Sequence, residues 1–165
     1  SHLNLFQRTP RIEGLINKAD IIYVGGGNTK SMLAVWKEWK LDKLLFKAYN
    51  KGTVLAGVSA GAICWFDTGI TDSWASNLNY IDCLGILPGS CCPHYDSEKD
   101  RKPSVHKFIE HEKIKSVYAI EDGAAVHFVD DVPYKNISFF KNSKVFFVDK
   151  QNSIVQEKPQ KMVSI

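Results

Sequence analysis

The chain has 165 residues, 44% hydrophobic and 24% charged, with 21 Lys plus Arg against 18 Asp plus Glu. That length carries one domain with a real core and one site, and the balance excludes disordered, collagen-like and coiled-coil architectures. The lysines are scattered without a basic, aromatic-rich stripe, and no apolar run approaches the roughly 20 residues that cross a bilayer, so neither nucleic acid nor a membrane is implied as a partner.

Arg11 to Lys18 reads as the end of a helix, and Asp20-Ile21-Ile22-Tyr23-Val24 as a strand buried on both faces, stopping at Gly25-Gly26-Gly27. A doubly wound sheet ordinarily places a strand and a helix before its first ligand-binding turn, so an N-terminal strand-helix region is expected to be missing. Asn28 and Thr29 suit the cap of a helix carrying Met32, Leu33, Val35, Trp36 and Trp39, and a second helix runs from Leu41 to about Tyr49. Thr53 to Val58 is a second buried strand, followed at once by the small-residue run Ser59 to Cys64. From Asp67 to Pro93 the pattern is irregular. Lys102 to His111 is helical, Lys115 to Ile120 is a third strand, and Ala125–Val129, Asn136–Phe140, Lys144–Val148 and Ser153–Gln156 form short antiparallel strands. The whole, residues 1–165, reads as a single α/β domain: a three-layer, doubly wound, mostly parallel sheet with helices on both faces and a C-terminal antiparallel β extension.

Gly57-Val58-Ser59-Ala60-Gly61 is a G-x-S-x-G elbow in the strand-turn-helix context that the motif needs. Flanking glycines allow close backbone approach around a strained serine, and the Ala60 amide, at the start of a helix, points where an oxyanion would form. The bland alternative is a small-residue turn packing a helix on the sheet. Among the five histidines, His94 follows Cys92-Pro93 in extended backbone and is the preferred base; His106 and His111 lie on a polar helix and His127 faces water from a strand. A purely structural histidine is the alternative there. A metal site of Cys91, Cys92 and His94 is crowded and lacks a second ligand pair, so no metal and no cofactor is expected. Glu121 and Asp122 leave the end of the third strand, and Glu121 is the first choice for the acid that orients the imidazole; Asp72, in the loop after the nucleophile helix, is the alternative. Gly25 to Thr29 fits neither a dinucleotide nor a Walker pattern, and its amides serve as the other half of an oxyanion hole.

These three motifs, Gly25-Gly26-Gly27-Asn28-Thr29, Gly57 to Ala62 and Pro93-His94-Tyr95 in this order, resemble the peptidase E family, the S51 serine peptidases related to cyanophycinase and built on a class I glutamine-amidotransferase-like fold. The resemblance runs from about Ala19 to Val129. It implies a cytoplasmic dipeptidase or exopeptidase acting on small aspartyl peptides, with Ser59 as nucleophile, His94 as base, and Gly27 with Ala60 as oxyanion donors. Family members use either an Asp in the loop after the nucleophile or a Glu after the next strand; Glu121 corresponds well to the second, Asp72 loosely to the first. Four cysteines, Cys64, Cys83, Cys91 and Cys92, with no CxxC pair suit a reducing compartment. A small peptide is the implied substrate, a homodimer stays open, and a non-catalytic glutamine-amidotransferase-like binding or regulatory module is the alternative function.

Overall fold

The first helix, α1 (Ile12–Asn17), leads into strand β1 (Ile21–Val24), and β1 pairs in parallel with β2 (Val54–Gly57) from Ile21 opposite Val54 to Val24 opposite Gly57. The computed structural model describes residues 2–5 and 11–165. Between the two strands run α2 (Thr29–Glu38) and α3 (Leu41–Asn50), the crossover that a parallel pair requires. Asn28 caps α2 by accepting the Ser31 amide on its Oδ1 at 2.9 Å, and Lys40, at φ 55°, breaks the chain into α3. Both helical stripes read from the sequence bury residues: α3 packs on α1 and α2, with Ile16, Trp36, Leu41, Leu45 and Ala48 buried. After β2 a short helix, α4 (Ala60–Ile63), starts within the elbow. The two strands are not buried on both faces as expected. Ile21 is 65% exposed, Tyr23 66% and Val54 56%, so one side of this two-stranded sheet is open.

The chain divides into two units, Ser1–Ala62 and Ile63–Ile165. In the second, β3 (Phe66–Thr71), β4 (Asn79–Asp82), β5 (Leu87–Cys92), β6 (Ser116–Ile120), β9 (Val145–Gln151) and β10 (Ile154–Pro159) form one sheet in the order β10-β9-β6-β5-β3-β4. The segment before Pro93 read as irregular therefore holds three strands. Their small residues, with Gly69, Pro88 and Gly89 interrupting the alternation, hide the period-2 pattern, although Ile70, Cys91 and Cys92 are fully buried.

The expectation of a mostly parallel sheet is corrected here. In the six-stranded sheet β6–β5 and β5–β3 are parallel, whereas β10–β9, β9–β6 and β3–β4 are antiparallel. The cause is local at the C-terminal end. Asn152 and Ser153, both left-handed (φ 49° and 66°), fold β9 back on β10, and Asp130 and Asp131 (φ 49° and 64°) do the same between β7 (Ala124–Val129) and β8 (Val132–Ser138). Two successive left-handed residues match the twist of a hairpin and reverse the chain in place, without a crossover. A last strand, β11 (Met162–Ser164), joins β8 in parallel, so the C-terminal extension is itself mixed.

Alternate residues of β6 and β9 sort onto the two faces of the six-stranded sheet. Val117, Ala119 and Val148 share a core with Val105 and Ile109 of α5 (Arg101–Glu110), which packs on β9 and β10. On the other face Tyr118 and Phe147 meet edge-on, and Phe128 of β7 packs edge-on against Tyr118 and Phe66. Within this unit one face is thus covered by a helix and the other by a strand of the small β7-β8-β11 sheet.

Candidate active site

The elbow is built by backbone contact. A Cβ on Gly57 would lie 2.1 Å from the Gly61 carbonyl oxygen, and one on Gly61 would lie 2.1 Å from the Val24 carbonyl oxygen. Both glycines are therefore demanded by the approach of β1, β2 and α4. Val58 donates its amide to Val24 O at 3.1 Å, and Gly61 and Ala62 donate to Val58 O and Ser59 O, each at 2.9 Å, so the turn closes directly into α4. Ser59, between those two glycines, is held at φ 54°, a conformation that costs an L-residue roughly 1–2 kcal/mol and persists only where its surroundings enforce it. The glycine loop after β1 lies beside it: a Cβ on Gly26 would be 3.4 Å from the Ser59 Cβ and 3.9 Å from its Oγ. Gly27 takes φ 146°, which favours glycine, and bends the chain before the Asn28 cap.

In the second unit, β5 delivers Pro93 and His94 past the end of the sheet. His94 is also left-handed, at φ 55°. Its Nδ1 lies 2.7 Å from Asp122 Oδ1, with the two side chains 26% and 47% exposed. A carboxylate only accepts, so Nδ1 carries the hydrogen and, in the neutral ring, Nε2 carries the lone pair that a general base uses. Asp122 is held in turn. Its amide donates to Asp96 Oδ1 at 2.9 Å, its carbonyl accepts the Ser143 hydroxyl at 2.7 Å, and its carboxyl is kept below the usual range first by a hydrogen bond from the Ser97 side chain, which together with the bond to His94 outweighs the opposing effect of burial.

Glu121, the expected partner of His94, is turned elsewhere: its Oε2 accepts the Lys144 amide at 2.7 Å while its own amide donates to Lys144 O at 3.0 Å. The imidazole partner is the next residue, Asp122. Asp72 lines a cavity of about 580 Å³ together with Ser76, Leu78, Ser97 and Lys107. The sequence reading ranked Asp122 behind Glu121 and missed Asp96 and Ser97 as supports; the Asp-Ser pair directly after His94-Tyr95 was the available signal. His106, placed by the sequence on a polar helix, is bonded through Nε2 to Glu157 Oε1 at 2.7 Å. Among the described residues, no group of three or more His, Cys, Asp or Glu is arranged to hold a metal ion, and no helix is long and apolar enough to cross a membrane.

Residues 1–133 match the family model described as peptidase family S51. The chain belongs to that family. A relative named as an uncharacterized peptidase, YgaJ of Bacillus subtilis, is 48% identical over 149 residues, 90% of this chain and 64% of that protein. Peptidase E of Pasteurella multocida is 31% identical over 122 residues, covering 68% of this chain and 52% of its own length; peptidase E of Haemophilus influenzae is 30% identical over 122 residues, covering 68% and 56%. The chain thus spans between half and two thirds of the length of these relatives. The crystal structure of a Listeria monocytogenes protein provisionally called peptidase E superposes with a TM-score of 0.58 at 21% identity, covering 98% of this chain and 70% of the other, a likeness of fold. The S51 assignment and the mixed α/β architecture agree.

Proposed function

We propose that this S51 chain carries the catalytic residues of a serine-type peptidase that hydrolyses small peptides, as a dipeptidase or exopeptidase acting on aspartyl substrates in the cytoplasm. The observation that carries the reading is the strained backbone of Ser59, held left-handed between two glycines that admit no side chain. His94 with its oriented Nδ1–H supports it. In this reading Ser59 Oγ attacks the scissile carbonyl carbon as His94 Nε2 takes its proton; the same nitrogen returns that proton to the leaving amine, and a water repeats the sequence on the acyl-serine to release the acid product. Asp122, in place of Glu121 or Asp72, fixes the tautomer and stabilises the imidazolium. The amides of Gly27 and Ala60 receive the oxyanion.

The deciding experiment is a fluorophosphonate probe read by intact mass. A single adduct is expected on the native chain and none on Ser59→Ala. An unlabelled native chain, or an adduct that survives Ser59→Ala, overturns the assignment.

A further inference from the structure

Next to His94, Tyr95 is 5% exposed, donates its amide to Ile120 O at 3.1 Å, and packs its ring on Phe146. Its hydroxyl donates to Glu157 Oε1. Glu157 is on β10, outside the residues matched by the family model, and only 16% of its side chain is exposed. The same carboxylate gathers two more partners from one face of α5: Lys102 donates to Oε2 at 2.6 Å and His106 Nε2 lies 2.7 Å from Oε1. One carboxylate therefore ties a helix, an edge strand and the loop that carries His94. A half-buried carboxylate with three partners is strongly held, because each bond is charge-assisted.

This arrangement bears on His94 because a left-handed non-glycine residue relaxes unless both neighbours are fixed. Pro93 fixes one side by its ring; the Tyr95 side chain, anchored at its far end, fixes the other. We infer that Glu157 is a positioning residue for His94, acting through the Tyr95 hydroxyl to hold the left-handed backbone that sets the imidazole on Asp122. The inference rests on the peptidase reading for its catalytic consequence, though not for its structural one.

Displacing reacting groups by about 1 Å can cost on the order of a hundredfold in rate. The test compares Tyr95→Phe, Glu157→Leu, Glu157→Gln and the double variant Tyr95→Phe/Glu157→Leu, each checked by its melting curve. Tyr95→Phe removes one oxygen and keeps the ring, so it keeps the question answerable where Glu157→Leu fails to fold. On an aspartyl dipeptide, Tyr95→Phe and Glu157→Leu should each lower kcat about tenfold with KM within about twofold, the double variant should be no worse than Glu157→Leu, and Glu157→Gln, which still accepts from the tyrosine, should stay within about threefold of the native rate. Proton NMR supplies a second readout: the downfield Nδ1–H signal of His94, identified by its loss in Asp122→Asn, should shift and broaden in Tyr95→Phe and Glu157→Leu and be restored in Glu157→Gln. An unchanged kcat and an unchanged Nδ1–H signal in Tyr95→Phe overturn the inference, as do additive losses in the double variant. Should the native chain neither turn over nor take the fluorophosphonate, the peptidase reading fails by itself, and the NMR comparison still decides whether Glu157 positions His94.

Discussion

Replacing Asp122 by Asn removes the charge that faces the imidazolium and leaves the side-chain volume almost unchanged. The native Nδ1 to Oδ1 distance of 2.7 Å places the two charge centres about 4 Å apart, where unit charges interact by about 1 kcal/mol in water and about 4 kcal/mol at an effective dielectric near 20. With Asp122 47% exposed, the working value lies between, about 2–3 kcal/mol, and the expected fall in kcat is on the order of a hundredfold. That is less than the roughly 10⁴ seen where the orienting carboxylate is buried. Glu121→Gln makes the control. Its amide oxygen can still accept the Lys144 N–H, so the change should stay within about threefold. Both variants are assayed on an aspartyl dipeptide at neutral pH, with melting curves to establish equal folding. A larger loss in Glu121→Gln than in Asp122→Asn would refute the reasoning and return the orienting role to Glu121.

Gly61→Ala places a Cβ 2.1 Å from the Val24 carbonyl, more than 1 Å inside ordinary contact and against backbone that cannot rotate away; a loss of roughly 3 kcal/mol or more is expected in urea titration, and a loss under about 1 kcal/mol would mean that the elbow is looser than described. Glu157 is held below its usual range because hydrogen bonds from Lys102, Tyr95 and His106 outweigh the opposing effect of burial, so its contribution to stability is present above the unfolded carboxyl range near pH 4 and is lost as pH falls through its lower folded value. The melting-temperature gap between the native chain and Glu157→Gln should therefore be full at pH 6 and shrink towards pH 3; a gap that widens on acidification contradicts this. Burial pushes the Cys83 and Cys92 thiols up to about 12, and Cys91 well above the usual range, so alkylation by iodoacetamide at pH 8 should be slow in the native chain and reach four sites only after denaturation. Rapid native labelling at Cys92 would contradict its burial.

The sequence by itself determined the elbow and its setting. Gly57, Ser59 and Gly61 act over five residues, and a strand that must turn at once into a helix has few other ways to do so, which makes that geometry legible without the rest of the chain. The α2 and α3 stripes were legible for the same reason, whereas the extended backbone expected for His94 after Pro93 was not what the fold adopts, since His94 sits at φ 55°. Only tertiary structure decided which carboxylate meets it. β9 runs antiparallel to β6 with Ile120 opposite Val145, so the next position along the ladder sets Glu121 against Lys144, and Glu121 spends both its amide and its carboxylate there. The chain turns only after that pairing ends, and Asp122 is the residue that the turn swings towards His94. Choosing between two adjacent acids is a matter of strand register between positions 23 apart in the chain, and no local propensity encodes it. The Glu157 contact is further still, 62 residues from Tyr95, and exists because the hairpin at Asn152 and Ser153 carries β10 alongside β9.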